Sequence, residues 1–264
     1  MMKKIILFGL FLLTVSFDQL DDTVQKEAAF DTGEFFKFRI HYGVVTAGYA
    51  TLEVKEAVRN NKKVYHAVGN GYTTGMTKFF FNVEDNYQSF FDKTTGKPYQ
   101  YVRKIDEGGY TKNQEGFFNQ DKNSILVKDY KNKTERTFTT PENVQDIVST
   151  FYYLRNHPNV DKLKVGESIL VDMFFDDETF KFKLKYIGNE DIETKFGTVK
   201  TMIFRPLVQS GRVFKEEESL TVWITDDDNK VPVRIKASLA VGSLKADLES
   251  FKGLKHPFYI KVKK

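Results

Sequence analysis

The chain has 264 residues, no cysteine and a formal net charge of +4, from 40 Lys and Arg against 36 Asp and Glu. Without a thiol it offers no disulfide, no cysteine nucleophile or metal ligand, and no lipobox cysteine for a lipid anchor. Because opposite charges alternate along most segments, the small positive balance indicates solvated strand faces and excludes a nucleic-acid partner.

The N-terminal residues have the pattern of a secretory signal peptide. Lys3 and Lys4 form a basic start, residues 5–13 are apolar, and residues 14–16 are small enough for cleavage. A membrane span needs about 20 apolar residues, and the acidic residues that follow cut this stretch short. We therefore expect residues 1–16 to be a signal peptide. The mature chain is then exported to the periplasm without a membrane span.

The next segments alternate apolar and polar residues with the period of two that predicts β-strands. Strands expected at 34–42, 49–58 and 64–72 are joined by short turns and form an antiparallel meander. Residues 71–81 break the alternation and indicate a loop or a short helical turn that caps an open end of the sheet. Further strands are expected at 83–91, 99–105, 110–118, 124–130 and 135–138.

One helix is predicted after these strands. Thr140 is a suitable N-cap, Pro141 fits the first helical position, and the sequence His157-Pro158 ends the helix. Its apolar stripe needs a sheet to cover it. The expected fold is therefore mostly β, with a curved, half-barrel-like antiparallel sheet wrapped on one main amphipathic helix. The residues of the stripe are Val144, Ile147, Val148, Phe151 and Tyr152.

A second series of strands follows the helix, and the acidic run at residues 226–229 predicts a sharp turn within it. The chain has no Ser/Pro-rich linker, so residues 17–264 are expected to form a single domain. A boundary near 158–166 stays open as an alternative. The strands are expected at 168–174, 179–187, 198–204, 219–224, 231–240 and 243–251.

The sequence shows no pattern for metal binding or catalysis. The four histidines never approach one another at ligand spacing, and His41 and His66 are expected to be solvated or edge residues on strands. Acidic runs such as 176–177 and 216–218 are expected to be solvated, and no G-x-S-x-G sequence or glycine-rich phosphate loop occurs. We therefore expect no catalytic residues, metal or cofactor, and no enzyme.

Aromatic residues are abundant, with 25 Phe, 13 Tyr and one Trp. Aromatic side chains favour strands and bury large apolar areas, so a filled core is one interpretation. The other is a cavity between sheet and helix, because ligand cavities are mostly apolar. The candidate lining residues are Phe79, Phe80, Phe81, Phe151, Tyr152 and Trp223.

Several stretches carry a resemblance to a known family: 33–34, 40–43, 47–52, 145–155, 196–198, 220–226 and 231–235. Together they resemble DUF3108, a family of exported bacterial proteins of unknown function. The resemblance implies one mostly antiparallel β domain of the cell envelope and supplies no activity. More loosely, the expected architecture is similar to the half-barrel of the LolA and LolB lipoprotein carriers, whose concave face holds acyl chains.

Four residues match the DUF3108 signature: Asp146, Ser149, Arg155 and Arg234. We interpret them as hydrogen-bonding and packing residues that fix the helix to the sheet. The main hypothesis for function is a non-catalytic envelope protein that binds a lipid, a lipoprotein or another apolar ligand in an aromatic-lined cavity. The alternative is a protein- or glycan-interaction module that works through exposed strand faces. An envelope hydrolase would need clustered carboxylates in a cleft.

Overall fold

The period-two alternation produces strands along most of the chain. A computed structural model describes residues 27–207 and 220–261. The predicted signal peptide and the acidic run 216–218 lie outside the described residues. Within the described residues, no helix has the length and apolar character that a membrane crossing requires.

The first half of the molecule is a long meander interrupted by one short helix, as predicted for residues 71–81. Its elements are β1 (Phe35–Tyr42), β2 (Val45–Arg59), β3 (Lys62–Thr73), α1 (Gly75–Phe80), β4 (Glu84–Asp92), β5 (Pro98–Glu107), β6 (Tyr110–Asn119), β7 (Ser124–Asp129) and β8 (Thr134–Thr139).

The second half begins with a helix and continues as strands, and the predicted strands of both halves are confirmed. Its elements are α2 (Ile147–Arg155), a 3₁₀ turn (Val160–Lys162), β9 (Ser168–Phe175), β10 (Glu178–Thr194), β11 (Gly197–Leu207), β12 (Leu220–Thr225), β13 (Pro232–Ser238) and β14 (Ser243–Lys252). The acidic run 226–229 forms the turn between β12 and β13, where Asp227 Oδ1 accepts the backbone N–H of Asn229 at 3.0 Å.

All these strands belong to one antiparallel sheet, in which each half runs in sequence order. The halves meet where β1 pairs with β14, so strands on both sides of residues 158–166 share the sheet. The two edge strands are β8 and β9. The sheet curves until β9 reaches the segment before α2, where Gln145 N–H donates to the Asp172 carbonyl at 2.8 Å and Phe174 N–H donates to the Gln145 carbonyl at 2.8 Å.

The helix α2 is shorter than predicted, and the predicted start at Thr140 is wrong. Gln145 is held in extended pairing against β9, and Asn143 has a left-handed φ of 57°, so the backbone before Asp146 is not helical. Asp146 is the N-cap. Buried positions lie around almost the whole circumference of α2, so a main amphipathic helix is not confirmed. The buried residues are Val148, Ser149, Thr150, Tyr152, Leu154 and Arg155.

The core lies on both sides of α2. Against β2–β4, Tyr152 packs with Phe30, Tyr65 and Phe91 in an aromatic cluster, and the ring centroids of Phe30 and Tyr152 are 4.6 Å apart. Against β9–β11, Leu154 packs with Val160 and neighbouring apolar residues. The helix therefore lies between the aromatic cluster and the apolar residues of the second half of the sheet.

Candidate apolar ligand pocket

A pocket of about 380 Å³ lies between α2 and the concave face of β9–β13. The helix contributes Ile147, Phe151 and Leu154, and β4 contributes Tyr87. Strands β9–β12 contribute side chains from alternate positions, because successive residues of a strand point to opposite faces. Strand β13 contributes Pro232 and Ile235, where its pairing with β12 is shifted by one residue. The lining residues from β9–β13 are Met173, Phe175, Phe180, Phe182, Leu184, Phe204, Pro206, Leu220, Val222, Ile224, Pro232 and Ile235.

The lining of the pocket is buried near the C-terminus of α2 and only partly buried toward one end of the strands. Val160, Leu154 and Phe204 are buried near the C-terminus of α2. Phe180 and Leu220 lie toward the other end of the strands and are only partly buried. The burial of the lining residues therefore decreases from the C-terminus of α2 toward Phe180 and Leu220.

The polar groups in the lining are already used by the protein. Thr150 Oγ1 donates to the Asp146 carbonyl at 2.7 Å. The Arg155 guanidinium donates to both Glu34 oxygens, at 2.6 and 2.7 Å, and to the Asn229 carbonyl at 2.7 Å. An occupant of the pocket would consequently meet apolar side chains and few free hydrogen-bonding groups.

A sequence model of the family described as "Protein of unknown function (DUF3108)" matches residues 37–249. The chain belongs to the DUF3108 family. A comparison of this DUF3108 chain with curated proteins finds no match.

The fold of the DUF3108 chain is similar to that of a solved structure, the "Beta-barrel-like Protein of Domain of Unknown Function DUF1849 from Brucella abortus". The two share 10% sequence identity with a TM-score of 0.57, over 85% of this chain and 98% of that chain. At this identity the likeness concerns the fold alone. A DUF1089 family protein from Pseudomonas aeruginosa gives a TM-score of 0.30 at 7% identity, over 77% of this chain and 89% of that chain, which supports no argument.

Two residues of the DUF3108 signature lie at the start of α2. Asp146 Oδ1 accepts the backbone N–H groups of Val148 and Ser149 at 2.8 and 2.9 Å, and Ser149 Oγ accepts the Asp146 N–H at 2.9 Å. Ser89 on β4 donates its hydroxyl to Asp146 Oδ2 at 2.6 Å, which ties the helix to the sheet. Burial raises the pKa of Asp146 to about 6, against the opposing effect of these hydrogen bonds.

Arg155 lies at the other end of α2. Its side chain and that of Glu34 are 3% and 0% exposed, and its guanidinium also reaches the Ala29 carbonyl at 3.3 Å. This one side chain therefore links the helix to the segment before β1 and, through Asn229, to the β12–β13 turn.

Arg234 lies on the sheet face opposite the pocket, because its neighbour Ile235 lines the pocket. Arg234 Nε donates to Asp247 Oδ1 at 2.6 Å, and His41 Nε2 lies 3.0 Å from Asp247 Oδ2. Burial alone would raise the pKa of Asp247, but the hydrogen bonds from Arg234 and His41 outweigh burial and lower it. His41 is 7% exposed, so the prediction of a solvated or edge histidine is wrong for this residue.

The six aromatic residues proposed from the sequence do not come together. Phe151 lines the pocket, whereas Tyr152 belongs to the aromatic cluster on the other side of α2 and stacks on Phe91 with centroids 5.4 Å apart. Trp223 points away from the pocket, and its Nε1 donates to Glu190 Oε2 at 2.8 Å. The three remaining residues lie on or next to α1, outside the pocket, with exposed fractions of 86, 77 and 53% for Phe79, Phe80 and Phe81.

The lining residues on the strands, from β4 and from β9–β13, were not among the candidates from the sequence. Strand β10 has a clear signal, because its pocket-lining residues alternate with lysines: Phe180, Phe182 and Leu184 against Lys181, Lys183 and Lys185. This alternation predicts the strand. It does not show which of the two sides of the helix this strand faces.

The acidic pair in the β9–β10 turn is not solvated as predicted. Asp176 forms ion pairs with Arg103 on β5 and Lys112 on β6, and Asp177 pairs with Arg136 on β8. These contacts bring the second half of the sheet against the first. Within residues 27–207 and 220–261, no group of three or more His, Asp or Glu side chains is placed to hold a metal ion.

Proposed function

We propose that this DUF3108 protein binds a lipid-like apolar ligand, such as an acyl chain, in the pocket between α2 and β9–β13, without catalysing a reaction. The observation that carries the proposal is a volume of about 380 Å³ lined almost entirely by apolar side chains. Ligand pockets in proteins have volumes of roughly 300–1,000 Å³ and mostly apolar walls.

The energetics favour an apolar occupant. Each methylene group of an acyl chain that moves from water into such a pocket contributes about 0.8 kcal/mol to binding. Several lining residues, including Phe182 and Val222, are only partly buried by the protein itself. A bound chain would cover their remaining apolar surface, which is unfavourable in contact with water.

Binding without catalysis is supported by the state of the polar groups in the lining. Thr150 and Arg155 already donate to groups of the protein, so neither is available to activate a nucleophile or to polarise a substrate. We propose that Asp146, Ser149 and Arg155 hold α2 in place as one wall of the pocket. Arg234 would brace β13 against β14 from the opposite face.

The proposal also includes the location of the protein. Residues 1–16, with their basic start and apolar middle, would direct export, and residues 17–264 would form a single domain in the periplasm. Lipid-like ligands are available there from the cell envelope.

Native mass spectrometry of the protein purified from an exported fraction, before and after organic extraction, tests the proposal directly. A mass in the lipid range that extraction removes is the expected result. The extracted protein should then bind a fluorescent fatty acid. Val222→Trp, which fills the pocket from β12, should weaken this binding at least about tenfold, since an indole would occupy the space of the ligand.

Leu170→Trp is the matched control, because it adds the same indole to an exposed position of β9 outside the pocket. It should bind the fatty acid like the wild type, and both variants should keep the wild-type circular dichroism. Equal binding by Val222→Trp and the wild type would overturn the proposal. So would a bare polypeptide mass combined with no fatty-acid uptake, and that result would favour an interaction module.

A further inference from the structure

The molecule exposes apolar side chains at the tips of turns at one end of the sheet. Val44 in the β1–β2 turn is 93% exposed, Phe79 on α1 is 86% exposed, and Val241 in the β13–β14 turn is 78% exposed. Single exposed apolar residues are ordinary, but a contiguous group of them marks an interaction site. We call the group the apolar rim: Val44, Met76, Phe79, Phe80, Leu239 and Val241.

The rim is continuous because its turns are joined to one another. Tyr42 Oη donates to the Val241 carbonyl at 3.1 Å and connects the β13–β14 turn to the end of β1. Thr74 N–H donates to the Ala47 carbonyl at 3.0 Å and connects α1 to β2. Most of the other exposed apolar side chains of the described residues also lie at this end, among them Tyr42, Val45, Phe81, Tyr110 and Leu244.

The rim lies at the end of the sheet where the lining of the pocket is only partly buried. Leu220 and Pro206, which line this part of the pocket, lie at the ends of β12 and β11. Leu220 pairs with Ala237, two residues before Leu239 of the rim. A surface in contact with the rim would therefore also lie close to the partly buried end of the pocket.

The geometry favours a lipid surface as the partner. The rim side chains project from separate turns, and a bilayer interface accepts such side chains without a complementary shape, whereas protein hot spots require a packed pocket on the partner. Lys236 and Lys245 face each other across the stem of the β13–β14 hairpin, just behind the rim. An anionic lipid headgroup layer would offset the repulsion between these two ammonium groups.

We infer that the apolar rim docks this protein on an anionic phospholipid membrane, with the partly buried end of the pocket turned toward the lipids. The docking itself does not depend on the proposed function. The coupling of docking to ligand entry does rest on it, since it requires that the pocket takes up lipid.

Co-sedimentation with vesicles tests the docking. We expect the wild type to bind vesicles of phosphatidylethanolamine and phosphatidylglycerol more strongly than vesicles of phosphatidylcholine. We expect a variant with four substitutions in the rim to bind the vesicles at least about tenfold more weakly than the wild type, because it removes the inserted apolar surface. This rim variant combines Val44→Ser, Phe79→Ser, Phe80→Ser and Val241→Ser. The matched control removes exposed apolar side chains elsewhere: Val58→Ser, Val165→Ser, Leu170→Ser and Tyr259→Ser.

A second measurement locates the contact. Since the chain has no cysteine, Phe79→Cys and Leu170→Cys can each be labelled at one position with a polarity-sensitive dye. On vesicles, the dye at position 79 should shift to the blue and the dye at position 170 should not. All variants share the same N-terminal segment, so that segment does not explain a difference between them.

Three results would overturn the inference: no vesicle binding by the wild type, equal binding by the rim variant, or no spectral shift at position 79. Concentration-dependent dimers that the rim variant loses, without vesicle binding, would instead assign the rim to an interface between copies of this chain. The pocket variant Val222→Trp should bind vesicles normally, and the rim variant should bind the fluorescent fatty acid normally. Failure of one proposal is therefore distinguishable from failure of the other.

Discussion

At the scale of single residues, the ion pair between Arg155 and Glu34 is the feature on which the placement of α2 depends. Removal of two charges from water is costly, and their attraction repays this cost only when every donor and acceptor is satisfied. Here both Glu34 oxygens accept from the guanidinium, which also donates to the carbonyls of Ala29 and Asn229. We therefore expect the free energy of unfolding to fall when either Arg155 or Glu34 is replaced.

Glu34→Gln should lower the free energy of unfolding by about 3–5 kcal/mol, because it keeps the shape of the side chain but leaves the Arg155 charge buried without a counter-ion. Urea denaturation followed by circular dichroism measures the change. The control is Glu249→Gln, which breaks an exposed pair with Lys195 at 3.2 Å and should cost less than about 1 kcal/mol. Similar small losses in both variants would show that the buried pair is not a determinant of stability.

The sequence alone could not reveal this pair. Glu34 precedes a strand in a polar stretch where an exposed carboxylate is the ordinary expectation. Its burial depends on Arg155, which lies 121 positions later in the chain. The burial of His41 has the same kind of cause, since it depends on Asp247 of the strand paired with β1.

At the scale of elements, the start of α2 shows how tertiary contacts override a local signal. Thr140 and Pro141 form a good helix start in sequence terms. The segment that follows is instead recruited as a partner for β9, and Asp146 with Ser149 then supplies a second start, a capping box. The strands were predictable because each has its own alternation of apolar and polar residues. The choice between the two possible N-termini of α2 depends instead on pairing with β9, a strand more than twenty residues away.

The buried cap predicts a pH dependence of stability. Because burial raises the pKa of Asp146 to about 6, the folded state holds a proton that the unfolded chain releases near pH 4. A rise in pH from about 4 to 6 should therefore reduce the contribution of Asp146 to the free energy of unfolding, since at this residue the unfolded state binds fewer protons in this window. The measurement is the free energy of unfolding between pH 4 and pH 7.

The matched variant for this prediction is Asp146→Asn, which keeps an oxygen acceptor for the helix N–H groups and cannot ionise. Relative to this variant, the wild type should be most stable near pH 4 and lose that advantage by pH 6. The measured quantity is the free energy of unfolding of the wild type minus that of Asp146→Asn. If this difference stayed constant from pH 4 to pH 7, or rose with pH, the pKa of Asp146 would not be raised in the folded state.

At the scale of the whole molecule, the sequence supported a curved antiparallel sheet around a helix, and the structure adds how the sheet is held in shape. The lining of the pocket was not predictable, because it depends on which strands face each side of α2. The pairing of β1 with β14 places the second half of the chain opposite the first. Only then do Phe180 and Phe204 meet Phe151 across one cavity.

The contacts of Asp176 hold the two halves together near that cavity. Its carboxylate pairs with Arg103 and Lys112, whose side chains are mostly buried, and the Arg103 guanidinium lies 4.1 Å above the ring of Phe175, which lines the pocket. Burial alone would raise the pKa of Asp176, but the hydrogen bonds from Lys112 and Arg103 outweigh burial and lower it. The carboxylate therefore stays ionised at neutral pH, and its stabilising effect is lost only as the pH falls below its ordinary value near 4.

Asp176→Asn should loosen this closure, since it leaves two neighbouring cations without their counter-ion. We expect faster amide hydrogen exchange in β9 and in residues 143–147, where the edge of the sheet is held, and unchanged exchange in β1–β3. Lys181→Gln breaks an exposed pair with Asp172 on the same hairpin and should leave exchange as in the wild type. If exchange in Asp176→Asn rose uniformly, or did not rise in β9, the ion pairs of Asp176 would not be what holds the second half of the sheet against the first.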